Sequence, residues 1–122
     1  MKSIVEKLTF EEKAALLTGA AWMSTYAVER LNIEAKRLAD GPHGVRIPIE
    51  NNCTHFPSMC NLGSCWDVEN AYLMGQAIAN DCIEHGIDMI LGPGMNIKRY
   101  ILCGRNFEYI SEDPVLAGEI AA

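Results

Sequence analysis

The chain has 122 residues, 49% hydrophobic and 21% charged, a balance that suits one folded unit and sets aside disordered, collagenous and membrane-spanning classes. Ten basic residues against sixteen acidic ones leave a net charge of −6, which repels polyanions and offers no basic stripe to phosphates, so nucleic acid is excluded as a partner. No stretch reaches the roughly 18 apolar residues that cross a bilayer, and the opening Met1 to Lys7 meets charge before a signal-like apolar run develops. The expectation is therefore no membrane and a cytoplasmic location.

Cys53, Cys60, Cys65, Cys82 and Cys103 form an odd set without CxxC spacing. They read as reduced thiols, mostly buried, rather than as a disulfide framework or a zinc site. His43, His55 and His85 stand far apart with no HxxxH or HExxH pattern, so no metal is expected.

Along the chain, Thr9 and Glu12 have the spacing of a capping box, in which each side chain satisfies the other residue's backbone amide. A helix is predicted from Phe10 to Thr18, with Gly19 ending it. The stretch up to Glu34 has no clean period, and only a helical turn near Val28 to Leu31 is predicted. Lys36 to Ala39 reads as a strand that stops at Asp40-Gly41-Pro42, where proline fixes φ and glycine permits a tight bend. From Gly41 to Trp66 the chain is rich in Pro, Gly, Asn and Ser. That reads as one long loop, of a length that is usually functional or disordered.

Asp67 can cap a helix in which Ala71, Met74, Gly75, Ile78 and Cys82 share one apolar face, closed by His85 and Gly86. Ile87 to Leu91 follows as a second strand, giving a βαβ unit with parallel pairing. A second loop, Pro93 to Ser111, carries Lys98, Arg99, Arg105 and Glu108. It ends at Ser111-Glu112-Asp113-Pro114, a helix start with capping oxygens and proline in the first turn. That helix is expected to run to Ala122, inside an element rather than at a domain boundary. A complete (β/α)₈ barrel takes about 250 residues.

In open α/β sheets and barrels, ligands bind in loops leaving the carboxyl ends of the strands, and both long loops begin there. Asp40 sets a carboxylate at a strand end and Arg46 a guanidinium six residues later. A carboxylate accepting from two hydroxyls and a planar fork of donors together suit a polyol such as a sugar. Spacing alone equally allows Asp40 to cap a turn with Arg46 on the surface, and Arg105 to pair structurally with Glu108 or Asp113.

Several runs resemble the N-terminal domain of family 3 glycoside hydrolases, especially their β-glucosidases. They are Leu8 to Lys13 with Leu16 to Gly19, Asp40 to Arg46 (DGPHGVR), Phe56-Pro57-Ser58, Trp66-Asp67, Leu91 to Gly94 with Asn96-Ile97, and Gly104 to Pro114 (GRNFEYISEDP). These runs stand in the family's order across almost the whole chain. The resemblance implies an α/β fold, the N-terminal portion of a (β/α)₈ TIM-type barrel over residues 1–122, and a β-glucoside or glucose-type sugar as partner. It implies retaining hydrolysis and no cofactor. Carried over residue by residue, Asp40 and Arg105 would hold distal hydroxyls of the sugar in the cleavage subsite, Arg46 would support that subsite and Leu91 would line its wall. His43 would buttress the turn.

The family's Lys-His pair, nucleophilic Asp and acid/base Glu would all lie beyond Ala122, so no residue here is assigned as catalytic. The expectation is a fragment inactive alone. Alternatives are a half-barrel that works by self-association or with a complementary remainder, and a non-catalytic sugar-binding fragment. One departure from the family pattern is Tyr100-Ile101, where a small residue and Pro are usual.

Overall fold

Two short parallel strands and the helix that crosses between them organise the chain. The computed structural model describes residues 3–47 and 52–122, so Met1, Lys2 and positions 48–51 of the expected long loop lie outside the description. The helices are α1 (Ile4–Lys7), α2 (Phe10–Thr18), α3 (Met59–Cys65), α4 (Val68–Glu84) and α5 (Pro114–Ala121), and the strands are β1 (Leu38–Asp40) and β2 (Met89–Leu91). The two strands pair in parallel, Leu38 with Met89, Ala39 with Ile90 and Asp40 with Leu91.

At the N-terminus the capping box forms as its spacing demands: Glu12 N–H donates to Thr9 Oγ1 at 3.2 Å, and Thr9 N–H to Glu12 Oε2 at 2.8 Å. The same carboxylate takes Arg30 Nε at 2.7 Å, while Arg30 Nη2 donates to the Lys7 carbonyl at 2.8 Å. One guanidinium thus ties α1, α2 and the 3₁₀ turn Glu29–Leu31 together. Glu12 is held below its ordinary pKa, first by the Arg30 hydrogen bond and then by the Thr9 amide.

Each strand begins two residues later than expected, at Leu38 rather than Lys36 and at Met89 rather than Ile87. The physical reason is Asp88. Its carboxylate accepts from the Arg37 amide at 2.8 Å and from Lys36 Nζ at 3.0 Å, and Arg37 Nη1 donates to the His85 carbonyl. Side-chain bonds clamp the amino ends, where the Arg37 carbonyl also accepts from the Asp88 and Met89 amides, and the regular register begins at Leu38 and Met89. Arg37 N–H first, then Lys36, hold the Asp88 carboxyl below its usual range.

The helix between the strands runs as predicted, with Asp67 accepting from the Glu69 and Asn70 amides and Gly86 at φ 64° after its end. On its expected apolar face Met74 and Cys82 are buried and Ala71 and Ile78 half-buried, whereas Gly75 is exposed. This helix serves two cores. On one side Ala39, Val45, Ile47, Cys53, Cys82 and Ile87 cluster beneath β1. On the other, Met59, Met74, Ile110, Ala117 and Ile120 pack between α3, α4 and α5, and Ile78 touches both groups. Full burial of the Val, Ile and Met side chains among them stabilises by about 1.5–3 kcal/mol each.

The expectation of an unbroken loop from Gly41 to Trp66 is corrected by α3. Its first amide, at Met59, is capped by a distant histidine, and Gly63 lies so close to the Ile110 carbonyl that a Cβ there would collide with it. Packing rather than propensity makes this helix. The cysteines also depart from expectation, since Cys53 and Cys82 are buried, Cys60 is half-buried, and Cys65 and Cys103 are exposed.

Candidate functional site

Asp40 and Leu91 end their strands side by side, because the register pairs them directly. Beyond Asp40 the backbone curls through Gly41 (φ 132°) and Gly44 (φ 125°), conformations closed to other residues without strain. A Cβ on Gly44 would also strike the Thr54 carbonyl. The curl brings the Arg46 N–H back to the Asp40 carbonyl at 2.8 Å, so Arg46 stands beside Asp40. Next to Leu91, Gly92 packs on Pro42, where a Cβ would lie 3.1 Å from the Pro42 Cα. The two strand-end turns therefore touch, and Asp40, Arg46 and Leu91 come together, all three exposed.

Arg105 arrives on the other loop. Asn106 Nδ2 donates to the carbonyls of Tyr100 (2.9 Å) and Ile101 (3.2 Å), and residues 106–108 form a 3₁₀ turn. This amide clamp orders the Tyr100-Ile101 stretch where the family pattern would have used proline. Gly94 packs on the Glu108 carbonyl, and the Phe107 ring meets His43 with centroids 5.9 Å apart.

His43 does more than face Phe107. Its Nε2 accepts the Met59 N–H at 3.1 Å and its carbonyl accepts the Phe56 N–H at 2.8 Å. That bond requires an unprotonated Nε2, so the proton of the neutral ring sits on Nδ1. One imidazole thereby joins the first loop, the start of α3 and the second loop.

Of the two partners open to Arg105, the structure selects Glu108, whose Oε1 accepts from Arg105 Nε. Asp113 instead caps α5, accepting from Val115 N–H at 2.9 Å. Glu108 raises the Arg105 pKa above its ordinary value, with Asp40 among the smaller contributors. In return Arg105 lowers that of Glu108. Tyr109 flanks the guanidinium, 6.0 Å from Arg105 Cζ to the ring centre.

The four expected site residues are not walls of one cavity. Asp40 and Arg46 line a groove of about 650 Å³ beside β1, with Trp22, Arg37 and His55, whereas Leu91 and Arg105 lie outside its wall. A second, apolar groove of about 500 Å³ runs among Met59, Leu62, Met74, Ile78, Ile90 and Ile120. Among the described residues, no group of three His, Cys, Asp or Glu side chains is placed to hold a metal ion. No helix among them is long and apolar enough to cross a membrane.

Sequence reasoning gave His43 a buttressing role in its own turn but not its reach to α3 and Phe107, and it missed the clamp made by Asn106. The only signal was their presence in otherwise apolar or glycine-rich loops, where a polar side chain must satisfy stray backbone groups.

Two strand-end loops meeting over a parallel pair are the layout in which α/β enzymes hold substrate. The family model of the glycosyl hydrolase family 3 N terminal domain matches residues 7–122, and the chain belongs to that family. It is 45% identical to thermostable beta-glucosidase B of Acetivibrio thermocellus over 132 aligned positions, covering 100% of this chain and 18% of that protein. It is 41% identical to an exo-alpha-(1->6)-L-arabinopyranosidase of Bifidobacterium longum, covering 96% of this chain and 17% of the other. The structure of beta-glucosidase 3B from Thermotoga neapolitana, in complex with alpha-D-glucose, superposes with a TM-score of 0.85 at 40% identity, covering 98% of this chain and 20% of that one. The chain thus spans about a fifth or less of the length of these relatives.

Proposed function

We propose that this chain supplies part of the sugar-gripping wall of a family 3 glycoside hydrolase of the β-glucosidase type, acting by a retaining mechanism. The observation that carries the reading is the convergence of Asp40, Arg46 and Leu91 at the carboxyl ends of a parallel pair, with the Arg105 loop packed against them through His43 and Phe107. Asp40 accepts from two adjacent hydroxyls of a glucose-type sugar, Arg105 donates to the same edge, Arg46 supports the turn, and Leu91 gives one apolar wall. The βαβ unit is the opening part of a (β/α)₈ barrel.

A retaining enzyme needs two carboxyl groups about 5–5.5 Å apart across the scissile bond. The family pattern assigns neither to these 122 residues, and the chain alone binds sugar weakly without cleaving it. The test is an NMR titration of the chain with glucose up to molar concentration, beside an aryl β-glucoside assay. Shifts at Asp40, Leu91 and Arg105 that vanish in Asp40→Ala, with no hydrolysis above background, are expected. Hydrolysis abolished by Asp40→Ala, or glucose shifts confined to other residues, would refute the reading.

A second reading, closure of the barrel by association with a second copy or with a complementary chain, is favoured by surface area. The chain exposes 8793 Å², against about 6,500 Å² for a folded monomer of its mass. Met89 and Leu91 on β2 are 53% and 42% exposed. Sedimentation across a hundredfold range of concentration tests it, and a single monomeric species throughout would exclude self-association.

A further inference from the structure

Surface ion pairs contribute little to stability, typically about 0–1 kcal/mol, so the way Arg105 and Glu108 are arranged calls for another explanation. The pair is lopsided: the Arg105 side chain is 69% exposed and that of Glu108 only 13%. Glu108 sits in the 3₁₀ turn that Asn106 clamps, with its carbonyl against Gly94. A sheltered carboxylate on an ordered turn therefore holds an exposed guanidinium, and it does so through Nε. Among the described residues no protein acceptor takes a hydrogen bond from either terminal amino group of Arg105.

We infer that Glu108 is a positioning residue for Arg105, holding Nε so that both terminal amino groups point outward toward a sugar and so that Arg105 does not fold onto Asp40. The inference rests on the sugar-gripping reading above and deepens it. Two carboxylates compete for one cation here. Asp40 is close enough to act on Arg105 electrostatically, while Glu108 holds the contact. If Arg105 swung to Asp40, the two groups that the sugar needs would satisfy each other instead. Asp40 would lose the lone pairs that accept from hydroxyls, and the guanidinium would lose its outward fork. Glu108 prevents this by being the nearer and better-sheltered partner, and the Tyr109 ring flanks the same guanidinium.

The test uses the whole 122-residue chain, ¹⁵N-labelled, with glucose as the probe and three variants: Arg105→Ala, Glu108→Ala and Glu108→Gln. Gln keeps the length and an oxygen that accepts from Nε, so it separates positioning from charge. The expected result is a distinct, slowly exchanging Arg105 Nε–H signal in the wild type that survives in Glu108→Gln and is lost in Glu108→Ala. Glucose affinity should fall on the order of tenfold in Glu108→Ala and stay within about threefold of wild type in Glu108→Gln, as expected for a hydrogen bond to a charged group. Unmoved Gly63 and Ile110 amides show that each variant is folded. If Glu108→Ala binds glucose as the wild type does while Arg105→Ala does not, the positioning role is overturned and the sugar reading stands. If Arg105→Ala binds like the wild type, or the wild type shows no glucose shifts, the sugar reading fails and the positioning role falls with it.

Discussion

His43 occupies a Gly-Pro-His-Gly turn, a context that suggests nothing more than backbone shaping, yet its Nε2 caps α3 and its ring meets Phe107. Removing it leaves the Met59 amide without its acceptor. His43→Ala is expected to lower the unfolding free energy by about 1–3 kcal/mol, the cost of an orphaned polar group, measured by urea titration. Gly44→Ala should cost at least as much, because φ 125° and the Thr54 carbonyl both oppose a side chain. Unchanged urea midpoints would contradict these roles. At this scale the sequence was legible where a residue type has few uses. The glycines marked the curl beside Asp40, and Asp113 with Pro114 marked a helix start. Arg105 was ambiguous because Glu108 and Asp113 are both within reach along the chain, and only the 3₁₀ turn decides between them.

The elements that could be read in advance were those whose ends carry their own hydrogen-bond partners. Thr9 with Glu12 and Asp67 with the Glu69 and Asn70 amides are local bonds, so spacing reveals them. Helix α3 was illegible because Asn61, Gly63, Ser64 and Cys65 are modest helix formers and its support comes from Ile110 and His43, far away in sequence. The strand starts are hidden for a similar reason, since Asp88, just before β2, clamps across to the Arg37 amide. Helix α4 divides the two cores, and Met74→Ala should lower stability by about 2–5 kcal/mol through the cavity it leaves, read as a fall in the thermal midpoint. A midpoint within a degree of the wild type would show that α4 does not hold the second core. The pH dependence has a definite sign. Glu12, Asp88 and Glu108 are held below their ordinary pKa values by Arg30, by the Arg37 amide and by Arg105 respectively. Their contribution is complete above the unfolded carboxylate range of about 4 and fades as pH falls through the lower folded values. Urea midpoints should therefore decline as pH falls below about 4. A rise on acidification would contradict these pairings.

For the whole molecule, the family was legible because long ordered runs of residues match it, and the two strands, their parallel pairing and the helix between them could be derived from pattern alone. What no local pattern shows is the exposed β2 edge and the apolar groove among α3, α4 and α5, because both arise from contacts between residues far apart in sequence. The central claim is that these 122 residues grip the sugar of a family 3 site through Asp40 and Arg105. The most direct measurement replaces the matching segment of the Acetivibrio thermocellus beta-glucosidase with this chain and compares aryl β-glucoside kinetics with and without Asp40→Ala. The expected result is an active hybrid in which Asp40→Ala lowers kcat/KM about a hundredfold or more, near 2.7 kcal/mol of lost transition-state stabilisation. A folded, active hybrid that tolerates Asp40→Ala unchanged would contradict the claim.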